Sequence, residues 1–304
     1  MERFLDAPAT ARCLPPAALV TALAAVLQDA AVQVPQRLVQ PLPGGASLFV
    51  MPALDGHIAI AKLITFTPAN AGTPRPTIQG DVVVFNVATG ARLLVLDGPA
   101  VTAQRTAAVS LLAAQRLATR PDGPLLIVGA GVQGRAHLDA FAAGLPLRNV
   151  RIASRTPAGA QALAAHARTL GLQATVVDDP DAALADCPLV VTCTPASTLV
   201  LHGPARHDAF VAAVGAFTPR MAELAPALCR WFADEGRIVL DTADARHEAG
   251  DLLQAGLEPA RFATLADVVV KGAAAGRGPV LFKSCGWAGW DLAAARCALA
   301  QPRP

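Results

Sequence analysis

The chain has 304 residues, 53% of them hydrophobic and 16% charged, with a formal net charge of +2. This composition supports a large buried core and disfavours disorder, and with no basic cluster interleaved with aromatics it argues against nucleic-acid binding. No apolar run reaches the ~20 residues of a membrane span, and the length leaves room for two domains.

Behind Pro15-Pro16, Leu19, Leu23, Val26 and Leu27 fall on one helical face. Glu2 and Asp6 stand where a secretory leader is positive, and Gln28-Asp29 replace a cleavage site, so a first amphipathic helix is the better reading. Ile58–Ile64 alternates as a strand, and Thr67–Pro76 is a Pro/Gly/Asn-rich loop. Asp81–Val87 and Ala91–Asp97 read as a hairpin joined by Ala88-Thr89-Gly90. Thr102–Ala118 reads as a helix, and Arg120–Pro124 as a boundary.

Leu125–Val128 is an apolar strand that runs straight into Gly129-Ala130-Gly131-Val132-Gln133-Gly134, after which Ala136, His137, Leu138 and Phe141 follow at helical spacing. A Gly-x-Gly-x-x-Gly between strand and helix is the setting of a dinucleotide-binding turn. Gly129 turns the chain, Gly131 lets a pyrophosphate approach the backbone, and Gly134 lets helix pack on strand. The helix N-terminus offers free N–H groups to the phosphates.

An alternating series follows. Val150–Ser154, Ala174–Val177, Leu189–Thr194, Phe210–Val214 and Val239–Asp241 read as strands. Pro157–Leu170, Pro180–Asp186 and Met221–Trp231 read as helices. That order predicts a parallel sheet covered on both faces. Gly272–Gly278 lacks the Lys-Ser/Thr ending of a phosphate loop and reads as a flexible loop; Lys283–Leu292 opens a last helix expected to return to the first domain. The predicted fold is α/β: a Rossmann domain over 121–280, and an α+β domain built from 1–120 with 281–304.

The six cysteines form no CxxC pair and no Cys/His ligand spacing, which suggests a reducing, cytoplasmic setting and no structural metal. With no tyrosine in the chain, a reductase using a Tyr/Lys pair is excluded. The second Rossmann strand ends in Ser154-Arg155-Thr156 instead of the acid that binds NAD ribose hydroxyls. A guanidinium and two hydroxyls suit a 2′-phosphate, so NADPH is favoured over NADH. A blander reading has Arg155 stacking on adenine or facing solvent.

Arg37, Met51-Pro52-Ala53…Lys62, Asp97-Gly98…Thr102–Ala108, Gly129–Gly134, Ala213–Ala216…Pro219…Glu223-Leu224 and Phe282–Gly286 together resemble the ornithine cyclodeaminase/mu-crystallin family across nearly the whole chain. The resemblance implies that Arg37, Lys62 and Arg105 bind a substrate carboxylate. It implies that Gly131, Val132, Gln133, Ser154, Arg155, Thr156, Thr192, Thr194, Val214 and Ser284 line the cofactor beside Gly129 and Gly134, and that the protein forms a homodimer. Arg37 and Arg105 read equally as ion-paired surface residues. Lys62 is harder to explain away, because a Lys on a buried strand face is costly without a partner.

The chain departs from the cyclodeaminase pattern at one telling position. Where the motif carries Asp, this chain has Phe217. Phe cannot act as acid or base on the nitrogens that cyclodeamination must manage; it offers an apolar wall to ring methylenes. The resemblance therefore points to the branch that reduces Δ1-pyrroline-2-carboxylate to L-proline and Δ1-piperideine-2-carboxylate to L-pipecolate. Lys62 is the candidate for stabilising or relaying the proton, with a bound water as the other option. An ornithine cyclodeaminase-like or alanine dehydrogenase-like enzyme, or a non-catalytic NADPH-binding protein of mu-crystallin type, stays open.

Overall fold

A computed structural model describes residues 3–70, 72–195, 198–272 and 278–301. The chain divides into two compact units, Met1–Arg105 with Trp287–Pro304, and Thr106–Gly286. The division falls inside a helix, earlier than the predicted Arg120–Pro124 boundary.

The first unit holds β1 (Arg3–Leu5), α1 (Ala7–Arg12), α2 (Pro16–Gln28), β2 (Leu38–Pro41), β3 (Ser47–Leu54), β4 (Ile58–Phe66), β5 (Ile78–Asn86) and β6 (Arg92–Asp97). The strands form one sheet in the order β1-β6-β5-β4-β3-β2, antiparallel except for β1 beside β6. β1, α1, β2 and β3 have no counterpart among the predicted elements. The expected hairpin is β5–β6. On β4 the buried residues are Ile58, Ile60, Lys62 and Ile64, the alternation of a strand with one covered face. In the same unit, α2 starts with Pro16 in its first turn and buries Leu19, Leu23 and Val26.

α3 (Gly98–Leu117) carries the chain into the second unit. There follow β7 (Leu125–Val128), α4 (Val132–Gly144), β8 (Asn149–Ala153), α5 (Pro157–Thr169), β9 (Gln173–Val176), α6 (Pro180–Leu184), β10 (Leu189–Thr192), β11 (Phe210–Ala213), α7 (Pro226–Glu235), β12 (Arg237–Leu240), α8 (Gly250–Gln254), β13 (Ala263–Thr264), α9 (Leu265–Val270) and β14 (Val280–Lys283). Their sheet is parallel throughout, ordered β13-β12-β14-β11-β10-β7-β8-β9. The chain then enters α10 (Ala288–Ala300), which belongs to the first unit and packs on α2 and on β3, β4 and β5.

Two sequence expectations need correction. Residues 281–283, assigned to the first domain, belong to β14, a fully buried strand between β11 and β12. The helix expected over Met221–Trp231 is Pro226–Glu235, because the backbone N–H groups of Glu223 and Leu224 both donate to Asp251 Oδ1, at 2.6 and 2.9 Å. Helix begins only where Pro226 can occupy a first-turn position. The Gly272–Gly278 loop falls mostly outside the described residues. Among the described residues, no helix is long and apolar enough to cross a membrane.

His137 ties the helix after the glycine turn to α3. Its Nδ1 lies 2.8 Å from the Gln133 carbonyl and its Nε2 3.0 Å from Ser110 Oγ. A carbonyl only accepts, so the ring proton sits on Nδ1 and Nε2 accepts from the hydroxyl. Burial pushes the His137 pKa down to about 4. The neutral ring is therefore favoured in the folded state, while the unfolded chain takes up a proton from about pH 6.5 downward. The stabilisation is complete above that pH and is lost as pH falls toward 4, on the order of 3 kcal/mol. Urea unfolding of wild type and His137→Gln at pH 7 and pH 4 should show this loss in the wild type only.

Candidate active site

The glycine turn has the geometry a pyrophosphate needs. Gly129 has φ +116°, a conformation that L side chains avoid, and a Cβ there would lie 2.7 Å from the Cys193 carbonyl oxygen. A Cβ on Gly134 would lie 1.9 Å from the Gly129 carbonyl oxygen, so only glycine permits this closeness of helix and turn. Above Gly131, which caps α4, a Cβ would meet nothing within 4 Å. The open space and the N-terminus of α4 occur together beside β7, where strand order reverses between β10 and β8. Val132, the first residue of α4, is 72% exposed. These residues fit a dinucleotide.

At the end of β8, the Thr156 backbone N–H donates to Ser154 Oγ at 3.3 Å, and Arg155 is exposed. A Cβ on Gly159, in the first turn of α5, would lie 2.7 Å from Thr156 Oγ1 and 3.8 Å from Ser154 Oγ. Two hydroxyls thus gather at the N-terminus of a 13-residue helix, with the exposed Arg155 between them in sequence. This arrangement suits an anionic group.

The predicted cofactor residues Thr192, Thr194, Val214 and Ser284 do stand at the carboxyl ends of β10, β11 and β14. Three of their side chains are turned to buried carboxylates. Glu223 accepts from Thr192 Oγ1 at 2.9 Å, from the backbone N–H and Oγ1 of Thr194 at 2.7 and 2.8 Å, and from the Gly215 N–H at 2.7 Å. Ser284 Oγ donates to Asp241 Oδ2 at 2.8 Å, joined by the N–H groups of Cys285 and Gly286. Glu223 therefore latches the loops after β10 and β11, and Asp241 shapes the one after β14. Phe217 is half-buried against the core of this unit.

Beneath the latch lies a buried ion pair, Lys283 Nζ with Asp251 Oδ2 at 2.8 Å, and Lys283 also donates to the Ala216 carbonyl at 2.6 Å. Burial alone would lower the Lys283 pKa. Asp251, Cys285 and Glu223 together more than offset it, and the net shift is upward. Burial raises the Glu223 pKa, against the pull of the Lys283 charge.

The first unit holds the cationic site. Lys62 is fully buried, flanked across the sheet by Met51 and Val82. Its Nζ donates to Asp291 Oδ1 at 2.9 Å, and Arg105 Nε donates to the same oxygen at 3.2 Å. Arg37, just before β2, adds its charge to the field at Lys62. Burial, opposed by Asp291 and reinforced by Arg105 and Arg37, pushes the Lys62 pKa down to about 8. The structure thus brings Lys62 and Arg105 to one oxygen, with the Arg37 charge felt at Lys62. Sequence reasoning missed Asp291, Asp241 and Asp251, and gave Glu223 no role beyond its motif. One signal was available: Lys62, Lys271 and Lys283 are the chain's three lysines, and two stand in apolar strands where each demands a carboxylate.

The family described as ornithine cyclodeaminase/mu-crystallin matches residues 17–300. The chain is 41% identical over 301 residues to a Δ1-pyrroline-2-carboxylate reductase of Burkholderia multivorans, covering 96% of this chain and 94% of that one. It is 39% identical over 300 residues to a Δ1-pyrroline-2-carboxylate/Δ1-piperideine-2-carboxylate reductase of Azospirillum brasilense, with the same coverage of each. The fold is similar to that of Thermococcus litoralis Δ1-pyrroline-2-carboxylate reductase, solved with NADH and L-proline. The TM-score is 0.83 at 22% identity, over 97% of this chain and 92% of that one.

Gly131 and Gly134 separate binding from folding. Gly131→Ala should stay within about 0.5 kcal/mol of wild-type stability while weakening dinucleotide binding roughly tenfold, the loss of one close phosphate approach. Gly134→Ala should lose both. Thermal melts and quenching of nicotinamide fluorescence on the two variants read these outcomes.

Proposed function

The chain belongs to the ornithine cyclodeaminase/mu-crystallin family, and from that premise we propose that it is an NADPH-dependent reductase of cyclic ketimine carboxylates. It converts Δ1-pyrroline-2-carboxylate to L-proline and Δ1-piperideine-2-carboxylate to L-pipecolate. The observation that carries this reading is the meeting of Lys62 and Arg105 on one buried oxygen. Cationic heads fixed in this way select an α-carboxylate and hold the adjacent carbon in one orientation.

When bound, the nicotinamide supplies the hydride that reduces the carbon of the C=N bond. The chain's own residues do the rest. Arg37, Lys62 and Arg105 anchor the carboxylate. Protonation of the ketimine nitrogen makes the C=N carbon electrophilic, and Lys62, with its pKa near 8, stabilises or relays that proton. Phe217 packs against the ring methylenes where a cyclodeaminase would place a carboxylate. Ser154, Arg155 and Thr156 take the 2′-phosphate of NADPH.

The homodimer reading rests on the sheet of the first unit. Its helix-covered face is opposed by a face carrying Leu48, Val50, Ala59, Ala61, Leu63 and Val83, none of them buried, with Leu63 43% exposed. An apolar sheet face of this kind fits a second copy of the chain. Light scattering should give about twice the 31.1 kDa of one chain; a monomer mass overturns the reading. The six cysteines are all free, in keeping with a cytoplasmic setting, which cell fractionation checks.

The deciding experiment is oxidation of NADPH and of NADH by the purified protein with each ring. Rapid turnover with NADPH supports the proposal. No turnover with either ring, despite measurable NADPH binding, overturns it. Lys62→Ala should lower kcat/KM by about two orders of magnitude or more while dinucleotide binding persists; near-normal activity would remove Lys62 from its role.

A further inference from the structure

The carboxylate that unites the two buried cations lies 229 positions beyond Lys62 in sequence, and no motif marked it. Asp291 is fully buried in the first turn of α10, where the positive end of the helix dipole favours a carboxylate. Its Oδ1 accepts from both Lys62 Nζ and Arg105 Nε; its Oδ2 is buried with no hydrogen-bond partner. Packing alone does not call for this. A buried ion cluster is often no more stable than apolar residues of the same volume, whereas removing one member leaves an uncompensated charge.

We propose that Asp291 is a positioning residue of the substrate-carboxylate site, fixing the heads of Lys62 and Arg105 at a common point and supplying the counter-charge that keeps Lys62 an ammonium. The proposal rests on the carboxylate-binding reading of Lys62 and Arg105. It extends that reading by making α10 part of the site. The charged groups around Lys62 are Arg37 before β2, Arg105 on α3 and Asp291 on α10. Its neighbours on β3 and β5, Met51 and Val82, are apolar, and Asp81, opposite Leu63, lies on the other face of the sheet. Among the described residues, Asp291 is thus the carboxylate holding the Lys62 proton against burial and two guanidiniums.

Three lysines make the test direct. Protein grown with lysine labelled with carbon-13 at Cε gives three signals: Lys62, the exposed Lys271 paired with Asp267, and the buried Lys283 paired with Asp251. The Lys62 signal should titrate near pH 8 in the wild type. In Asp291→Asn its midpoint should move down by about one pH unit or more, and the alkaline limb of kcat/KM should move with it, while the Lys283 signal stays unchanged and reports an intact second unit. An unmoved Lys62 midpoint, or a moved midpoint with an unmoved alkaline limb, overturns the proposal.

If Asp291→Asn does not fold, Asp291→Glu keeps the charge and displaces the oxygen by one methylene. It should leave Lys62 titrating near pH 8 and raise KM for the ketimine roughly tenfold or more, with a smaller change in kcat. A wild-type KM in this variant overturns the proposal. Absence of wild-type turnover with either ring is a separate outcome: it removes the ketimine reading, while the Lys62 titration still decides whether Asp291 holds its proton.

Discussion

A lysine ammonium without water must have a carboxylate, and much of the first unit follows from that constraint at Lys62. β4 has to keep its register, because a one-residue slip would expose Lys62 and bury Leu63. α10 has to return to the sheet after the whole second unit, because it carries Asp291. The first turns of α3 must sit where Arg105 reaches the same oxygen. Sheet, connecting helix and terminal helix are thereby held to one atom, Asp291 Oδ1.

The second unit obeys the same rule to the opposite effect. Lys283 faces Asp251 and Glu223, so its proton is held tightly; Lys62 faces one carboxylate and two guanidiniums, so its proton is held loosely. One lysine is a permanent charge that braces the loops after β11 and β14. The other can change charge near neutral pH. Two buried lysines in one chain differ in chemistry because their neighbours differ in sign.

Local signals made the Rossmann half legible. Leu125–Gly134 reads as strand, turn and helix from its own residues, and the structure has the sharp turn at Gly129 and the close helix packing at Gly134. The hairpin of β5 and β6 and the helix behind Pro15-Pro16 were legible for the same reason. β14 was not, because a four-residue apolar strand gives no period of its own and its place between β11 and β12 is set by long-range pairing. The displaced start of α7 depended on Asp251 capturing two backbone N–H groups, a contact between residues 28 and 27 positions apart. The cations of the candidate site were visible as residue types in family motifs. Their partner was not, since Asp291 sits in an ordinary helical stretch and only the packing of α10 on β4 brings it to Lys62. Nor could the sequence show that the hydroxyls of Thr192 and Ser284 serve buried carboxylates.

The discontinuity of the first unit has a consequence for biosynthesis. Thr106–Gly286 is contiguous and has all its strands once Lys283 has left the ribosome. Lys62 is translated well before its counter-ion, which follows 229 positions later. Until α10 emerges, the sheet cannot close over that ammonium without burying an unpaired charge. The nascent chain therefore carries a wet, unfinished β-layer while the second unit is made, and the cationic site assembles only once α10 has joined it.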